Sequence, residues 1–229
     1  MKGDYLHMAS MKKYPQSSVY AMLKHNERTA RSHSNPDIDS EKSNLNYRLS
    51  PERTCTDYDY FKEHIQEYKC MNRSDVIKMA SWIIAAPDDL APSQEADFFR
   101  CCHEFLKKRY LPVNELQAVV HYDEVHTFID PKTGQIKSSR PHLHYCFVPA
   151  TPNKEGDLHI CAKKILNRQD LRNFHQDLQR FLNQSCDKNG DPIHATVYSG
   201  ITKKSGGNRI VKELKRDFLT YSYERSFTF

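Results

Sequence analysis

Five side chains in two short segments of the chain have the types and spacing of a metal site with an acidic group beside it. The segments read HYDE and PHLH, and the side chains are His121, Asp123, Glu124, His142 and His144. An H-x-H pair alone is weak evidence, because the 229 residues include 12 histidines. Three imidazoles that leave coordination positions open are typical of a catalytic transition metal, whereas a structural site is closed by four protein ligands.

Both segments have the pattern of β-strands. Residues 115–125 (ELQAVVHYDEV) and residues 141–151 (PHLHYCFVPAT) are rich in β-branched and aromatic side chains. The connection between them is short enough to make the two strands antiparallel neighbours. The imidazoles of both segments would then converge on one face of a sheet.

Side-chain alternation along a strand predicts the face on which each residue lies. His142 and His144 share a face, and so do His121 and Asp123, because the members of each pair are two residues apart. Glu124 is expected to point to the opposite face. We expect Asp123 or Glu124 to accept a hydrogen bond from a histidine ligand or to act as a base.

The bulk composition is compatible with nucleic-acid binding but does not require it. The chain has 34 Lys and Arg against 29 Asp and Glu, a net charge of +5 and a pI near 8.7, which is a mild basic bias. No stretch approaches the apolar length that spans a bilayer, so we expect no stable membrane insertion. The 7 cysteines form no C-x-x-C motif and indicate reduced thiols in a cytosolic protein.

The remaining elements must hold these side chains in place. Periodicity predicts strands at 5–11, 45–49, 77–87 and 157–166, and helices at 19–30, 57–70, 93–110 and 167–186. A D-P-K-T-G turn between short β-prone arms predicts a protruding hairpin at 127–139. With short connections in the centre and helices elsewhere, this order predicts an α+β fold, a mostly antiparallel central β-sheet flanked by helices.

Four motifs follow one another along the chain: HNER (25–28), SNLNYRL (43–49), HYDE (121–124) and PHLH (141–144). Their order and spacing resemble those of the plasmid mobilisation relaxases of the Mob/Pre (MobV) type, within the His-hydrophobic-His class of single-strand endonucleases. The resemblance extends from about residue 5 to about residue 205. No single motif is decisive, but the four together are specific.

The resemblance implies a metal-dependent enzyme that nicks one DNA strand at an origin of transfer and stays covalently attached to the 5′ phosphate. Such an enzyme initiates mobilisation of a plasmid or other mobile element. His121, His142 and His144 match the metal ligands, and Mn²⁺ is the expected ion, with Mg²⁺ or another transition metal as alternatives. His25 matches the proposed nucleophile, in place of the tyrosine of most relaxases, and Arg28 would present its guanidinium to the same phosphate.

The implied partners are single-stranded DNA and the hairpin DNA of an origin of transfer. Accessory mobilisation or coupling proteins are further expected partners, and the bacterial cytoplasm is the expected location. Seven residues are predicted to contact DNA: Asn46, Tyr47, Arg48, Arg31, Lys203, Lys204 and Arg209.

The resemblance also implies a domain organisation. Residues 1–200 would form the relaxase domain, and residues 201–229 a basic, helical segment that could begin a further region. In the family the acidic pair is followed almost directly by the P-H-x-H strand, so the segment at about 125–140 is an inserted hairpin. We expect its Lys132 and Lys137 to touch DNA.

Two alternatives remain open at this point. Tyr20 or Tyr47 could be the nucleophile, which would make the protein a nickase similar to replication initiators or transposases. The chain could also be a non-catalytic origin-binding module that keeps the fold and uses the metal structurally.

Overall fold

A computed structural model of the chain describes residues 9–29, 35–129 and 134–197. Its strands are β1 (Ala9–Pro15), β2 (Tyr47–Arg48), β3 (Ile77–Ala85), β4 (Glu115–His121), β5 (Thr127–Ile129), β6 (Ile136–Ser138), β7 (His142–Phe147), β8 (Ala150–Pro152) and β9 (Leu158–Ile160). Five of them form one sheet in the order β1-β3-β7-β4-β2. All four pairings in that sheet are antiparallel, which confirms the predicted fold class.

Five α-helices accompany the sheet in the described residues: α1 (Gln16–Glu27), α2 (Asp57–His64), α3 (Glu95–Tyr110), α4 (Ala162–Ile165) and α5 (Arg168–Leu182). Short 3₁₀ turns lie at Ser43–Leu45, Ile65–Glu67, Pro92–Gln94 and Pro112–Asn114. None of the described helices combines the length and the apolar character that crossing a membrane requires.

The central strands are buried because helices cover both faces of the sheet. On one face α3 and α5 form a core in which the rings of Trp82 and Phe174 stack at 3.5 Å. On the other face α1 and α2 pack Leu23 and Phe61 against the sheet, near Cys146. Alternation along β7 therefore points Leu143, Tyr145 and Phe147 to the first face and His142, His144 and Cys146 to the second.

The region predicted as one strand at 157–166 contains two elements. The extended chain ends with β9 at Ile160, and α4 follows at Ala162. Ile165 and Leu166 both pack against the α3–α5 core. Two adjacent residues cannot reach the same core from a strand, where neighbours point to opposite faces, whereas a helical turn allows it.

Two other predicted boundaries differ as well. The first strand was expected at 5–11, but the described part of β1 runs from Ala9 to Pro15, and residues 1–8 lie outside the described residues. The helix expected at 57–70 ends at His64 and continues as a 3₁₀ turn to Glu67. The predicted C-terminal helix at 201–229 also lies outside the described residues.

The predicted hairpin between the acidic pair and the P-H-x-H strand is present. β5 and β6 pair antiparallel, with Thr127 opposite Ser138. Ser139 closes its base, because its hydroxyl donates to the carbonyl of Glu124 at 2.6 Å and accepts from the N–H of His126 at 2.9 Å. Residues 130–133, which include Lys132, lie outside the described residues.

Candidate active site

The three histidines converge because β4 and β7 are neighbours in a fixed register. His121 lies opposite His142, and Val119 lies opposite His144. Directly opposite residues point to the same face, so the imidazoles of both strands meet. One ligand atom from each of His121, His142, His144 and Glu124 lies within 4.8 Å of all the others.

Glu124 rather than Asp123 joins the histidines, which contradicts the predicted alternation. β4 ends at His121, and the backbone beyond it pairs with the loop before the SNLNYRL motif. The N–H of Asp39 donates to the carbonyl of Asp123 at 2.8 Å, and the N–H of Val125 donates to the carbonyl of Asp37 at 2.8 Å. The two-residue alternation therefore stops at His121, and the side chain of Glu124 turns into the cluster.

Asp123 is fully buried and is held by three donors. Its carboxylate accepts from Arg28 Nε at 2.8 Å, Ser43 Oγ at 2.8 Å and Asn46 Nδ2 at 2.7 Å. Burial alone would raise the pKa of Asp123, but hydrogen bonds from these three side chains outweigh it and lower the pKa to about 2. Asp123 is thus an ionised anchor for Arg28, not a base that faces the cluster.

The sequence predicts that Arg28 continues α1. Instead, Arg28 ends the helix in the left-handed conformation, at a φ of 55°. This turn brings Nη1 to 2.7 Å from the carbonyl of His25. Nη2 donates to Asp123 Oδ1 at 2.9 Å and to Glu124 Oε1 at 2.7 Å. Only 8% of the side chain is exposed, so the guanidinium that was expected to bind phosphate is occupied by the two carboxylates.

His25 faces the cluster from the last turn of α1. Its Nε2 lies 3.0 Å from Glu124 Oε1 and 3.2 Å from Arg28 Nη1. Its ring centroid is 6.4 Å from that of His121 and 6.5 Å from that of His144. The side chain is 30% exposed, so it is accessible from solvent while it borders the buried imidazoles of His121 and His144.

The electrostatics of the cluster favour neutral imidazoles beside an ionised carboxylate. Burial lowers the pKa of His121 to about 4, with Arg28 adding to the effect. Burial lowers the pKa of His142 and takes that of His144 well below its usual value. Burial would raise the pKa of Glu124, but the hydrogen bonds from His25 and Arg28 outweigh it and hold that pKa far below its usual range. Neutral imidazole is the form that binds a metal.

The donor set fits a divalent transition metal. Three imidazoles and one carboxylate suit Mn²⁺, Co²⁺ or Zn²⁺ better than Mg²⁺, which prefers an oxygen-only shell. Among the described residues the buried Nδ1 of His144 finds no hydrogen-bond partner, and Nε2 of His142 and Nε2 of His144 face each other at 3.0 Å. A cation bound between them would satisfy ring nitrogens that the protein leaves close together.

The two tyrosines considered as alternative nucleophiles lie away from the cluster. Tyr47 pairs with Val120 and packs on the α3–α5 side of the sheet, so it points to the face opposite the histidines. Burial, with Glu95 nearby, raises its pKa to about 12. Tyr20 is 48% exposed, and five residues place it about 140° around the α1 axis from His25.

Two of the residues predicted to bind DNA make internal contacts, and their contact with DNA stays a prediction. Asn46 donates to Asp123, and its Oδ1 accepts from the N–H of Tyr122 at 2.7 Å. Arg48 binds the buried carboxylate of Asp57, with Nη1 at 2.8 Å from Oδ2. Four others lie outside the described residues: Arg31, Lys203, Lys204 and Arg209.

Several polar residues that support the site were not identified from the sequence. Asn26 and Glu27 lie within HNER and Ser43 within SNLNYRL, so the motifs contained the signal, but their roles depend on contacts made far along the chain. Gln117 could have been identified from the sequence, because a glutamine inside the buried strand ELQAVV needs hydrogen-bond partners.

Comparisons with known proteins match most of the chain. A family model described as plasmid recombination enzyme (Mob_Pre) matches residues 4–192. The plasmid recombination enzyme of Streptococcus agalactiae is 29% identical over 183 residues, which cover 76% of this chain and 33% of that protein. The one from Lactiplantibacillus plantarum is 30% identical over 189 residues, 78% of this chain and 46% of that protein. The chain therefore spans less than half the length of these relatives.

Solved structures show a similar fold. An Mn-bound crystal structure of the MobM relaxase domain with plasmid oriT DNA has a TM-score of 0.69 and 27% identity, over 93% of this chain and 99% of that one. A second Mn-bound structure of the domain with oriT DNA has a TM-score of 0.68 and 26% identity, over 93% and 100% of the two chains.

Proposed function

The chain belongs to the plasmid recombination enzyme family, and we propose that it is a metal-dependent DNA relaxase. It would nick one strand at an origin of transfer, remain attached to the 5′ phosphate and thereby initiate mobilisation of a plasmid or other mobile element. One observation carries the proposal: an accessible imidazole, His25, borders a cluster of three neutral imidazoles and a carboxylate, of which His121 and His144 are buried and the other two half-buried.

Cleavage of a phosphodiester needs neutralisation of the phosphate charge, a nucleophile in line with the leaving group and a proton for the 3′ oxygen. His121, His142 and His144 would hold the divalent ion, with Glu124 beside them. When bound, that ion supplies positive charge to the scissile phosphate. We propose Mn²⁺, because a site that combines imidazoles with a carboxylate can bind it and the MobM relaxase domain structures contain Mn.

His25 would be the nucleophile. Glu124 can accept the proton of the Nε2–H tautomer at 3.0 Å, which leaves the lone pair on Nδ1 for attack on phosphorus. The new N–P bond replaces the bond to the 3′ oxygen, and that oxygen leaves as a hydroxyl with the proton that Nε2 of His25 gives up. The resulting phosphoramidate keeps the energy of the broken ester, so a 3′ hydroxyl can attack it in reverse and reseal the strand.

The positions of the remaining residues support this assignment. Arg28 neutralises Asp123 and Glu124 and ties both to the carbonyl of His25, so it positions the nucleophile rather than gripping phosphate. The DNA substrate would be the single strand and hairpin of an origin of transfer; the MobM relaxase domain structure contains oriT DNA. Action in the bacterial cytoplasm is part of the proposal, and contact with accessory mobilisation proteins stays a prediction.

Incubation with a labelled single-stranded oligonucleotide that carries the origin of the protein's own plasmid tests the proposal. With Mn²⁺, we expect the wild type to form a covalent protein–DNA product that His25→Ala does not form. The product should be stable in alkali and labile in acid, because it is a phosphoramidate. A tyrosine phosphodiester would survive the acid. Tyr20→Phe and Tyr47→Phe serve as controls and should retain the product.

Two results would contradict the proposal in distinguishable ways. A product that survives in His25→Ala but disappears in Tyr20→Phe or Tyr47→Phe would assign the nucleophile to a tyrosine. Binding of the oligonucleotide without cleavage, with every divalent metal tried, would indicate a non-catalytic origin-binding module.

A further inference from the structure

Behind the HNER motif, a chain of buried hydrogen bonds connects α2 to the histidine cluster. Gln117, Asn26 and Asp57 are at most 2% exposed. Gln117 Nε2 donates to Asp57 Oδ2 at 2.6 Å, and Asn26 Nδ2 donates to Gln117 Oε1 at 2.8 Å. The main-chain carbonyl of Asn26 then lies 2.9 Å from Nε2 of His121. No part of this chain of contacts is required by the chemistry proposed above.

We propose that Gln117 is a positioning residue, which acts through Asn26 to set the ring orientation and tautomer of His121 and the placement of His25. The inference deepens the proposed function and rests on it for the role of the two histidines. It assigns a role in the site to a residue that touches neither DNA nor metal, since Gln117 lies four positions before His121 on the strand, roughly 13 Å away.

The carbonyl of Asn26 determines which nitrogen of His121 is available to a ligand. A carbonyl oxygen can only accept, so Nε2 of His121 must carry the proton and Nδ1 must carry the lone pair. Nδ1 points into the cluster, 3.1 Å from Arg28 Nη2 and 3.8 Å from Glu124 Oε1. If the carbonyl moved away, the opposite tautomer would place a proton where a ligand lone pair is needed.

Gln117 fixes that carbonyl because it holds the last turn of α1 at two points. Besides accepting from Asn26, its Nε2 lies 3.2 Å from the carbonyl of Leu23. His25 lies between these two points in the chain, so the same pair of contacts places the nucleophile. Since Gln117 is fully buried, water cannot replace these hydrogen bonds without a large rearrangement.

Asp57 anchors the other end of this chain of contacts. Its carboxylate is held by Arg48 at 2.8 Å and Arg53 at 2.9 Å, so it cannot rotate away from Gln117. Glu27 ties the same point to α1, because its carboxylate accepts from the N–H of Asp57 at 2.9 Å. The four HNER residues thus have separate roles: His25 faces the cluster, Asn26 orients His121, Glu27 docks α2 and Arg28 binds the carboxylates.

The test compares Gln117→Met, which keeps the volume and removes the hydrogen bonds, with Tyr68→Phe as a matched control. Tyr68 is buried on the same side of the sheet, and its hydroxyl contacts Val113 and Asn114 rather than the site. Three quantities are measured on each full-length variant. They are the Mn²⁺ affinity without DNA, the ¹⁵N shifts of the His121 ring without metal, and kcat and KM for nicking.

For Gln117→Met we expect Mn²⁺ affinity to fall about 10- to 100-fold, as it does when a partner of a ligand histidine is lost. The His121 shifts should change from a single Nε2–H tautomer to a mixture. The kcat for nicking should fall while KM for the oligonucleotide stays within about twofold. Tyr68→Phe should lose stability but leave all three quantities unchanged.

Wild-type Mn²⁺ affinity and a single Nε2–H tautomer in folded Gln117→Met would overturn the inference. If Gln117→Met does not fold, Asn26→Ala removes the same hydrogen bond from the other side and is judged by the same two readouts. A wild type that nicks no oligonucleotide would contradict the proposed function alone, because the metal affinity and the tautomer are measured without DNA.

Discussion

At the scale of single residues, Asp123 and Glu124 show how two neighbouring carboxylates acquire different roles. Asp123 is enclosed by Arg28, Ser43 and Asn46, whereas Glu124 borders the histidines and His25. The difference comes from the end of β4 at His121, after which the backbone pairs with the loop before β2. One of the two carboxylates is therefore structural, and the other is placed to take part in the proposed reaction.

Amide substitutions should separate the two roles. Glu124→Gln removes the charge beside His25, and we expect the nicking rate to fall about 10²- to 10⁴-fold with little loss of stability. Asp123→Asn leaves the buried guanidinium of Arg28 without its main anion, and we expect the free energy of unfolding to fall by about 3 kcal/mol. Urea unfolding and single-turnover nicking measure the two effects. Equal loss of stability in both variants would contradict the separate roles given to Asp123 and Glu124.

The sequence predicted part of this site and missed part of it for identifiable reasons. His142 and His144 share a strand, and a short connection brings His121 beside them, so alternation and loop length suffice to predict their convergence. Glu124 was expected on the wrong face because alternation cannot show where a strand ends. Arg28 was expected on the helix because nothing in the letters HNER indicates that an arginine adopts the left-handed conformation.

At the scale of elements, α1 and α2 are joined through buried charge rather than through apolar packing alone. Asp57 begins α2 and binds Arg48 and Arg53. Burial would raise the pKa of Asp57, but hydrogen bonding and charge from Arg48 outweigh it and lower the pKa. A carboxyl with a lowered pKa in the folded state stabilises the protein at pH values above its unfolded pKa, near 3.9.

Asp57→Asn should therefore destabilise the protein in a manner that depends on pH. At pH 7 the variant leaves two half-buried guanidinium groups without their anion, and we expect the free energy of unfolding to fall by about 3 kcal/mol. Below pH 4 the Asp57 carboxyl of the unfolded wild type takes up a proton before the folded one does, because the folded pKa is lower. The difference between the two proteins should therefore shrink as pH falls. Urea unfolding of both at pH 7, 5 and 3.5 measures it. A difference independent of pH would contradict the role given to the charge.

The hairpin of β5 and β6 gives a second prediction at this scale. Ser139 joins the base of the hairpin to the carbonyl of Glu124, so Ser139→Ala should hold Glu124 less firmly in its position in the site. The loss of one such hydrogen bond, about 1 kcal/mol, should lower kcat for nicking about fivefold. Ser185→Ala is the control, because its hydroxyl likewise donates to a carbonyl, that of Phe181, at the end of α5. A fivefold effect in both variants would contradict a local role.

Element boundaries show the same limit of sequence reasoning. The strand at 77–87 and the helix at 93–110 were predicted within a few residues, because long periodic segments bury one continuous face. The segment at 157–166 was predicted wrongly, because DLHICAKKIL contains only four large apolar residues. With so few, the position of the core decides between strand and helix. A pattern that short does not specify how the chain turns after Ile160.

At the scale of the whole molecule, the positive charge is unevenly neutralised. Residues 9–26 and 158–169 contain no Asp or Glu. In the described part of the chain, six cations of β1, α4 and α5 form no ion pair with an acidic side chain, whereas most arginines elsewhere do. The six are Lys12, Lys13, Lys163, Lys164, Arg168 and Arg172. Lys13 lies 3.5 Å from the carbonyl of Leu166, so β1 and the α4–α5 connection form one surface.

This basic surface begins on the face that carries the histidines, because the register aligns Lys12 with Ser81 and Ser81 with Cys146. Single-stranded DNA that leaves the site across β3 would contact this basic surface. Each phosphate contact contributes about 0.7 to the slope of the logarithm of the binding constant against the logarithm of the salt concentration. Substituting glutamine at Lys12, Lys163 and Lys164 together should lower that slope by about 2 and raise KM, while kcat at saturating DNA stays unchanged. Glutamine at Lys62 and Lys69, which pair with Asp59 and Asp157, should leave the slope as in the wild type. Equal slopes in all three proteins would show that the DNA follows another path.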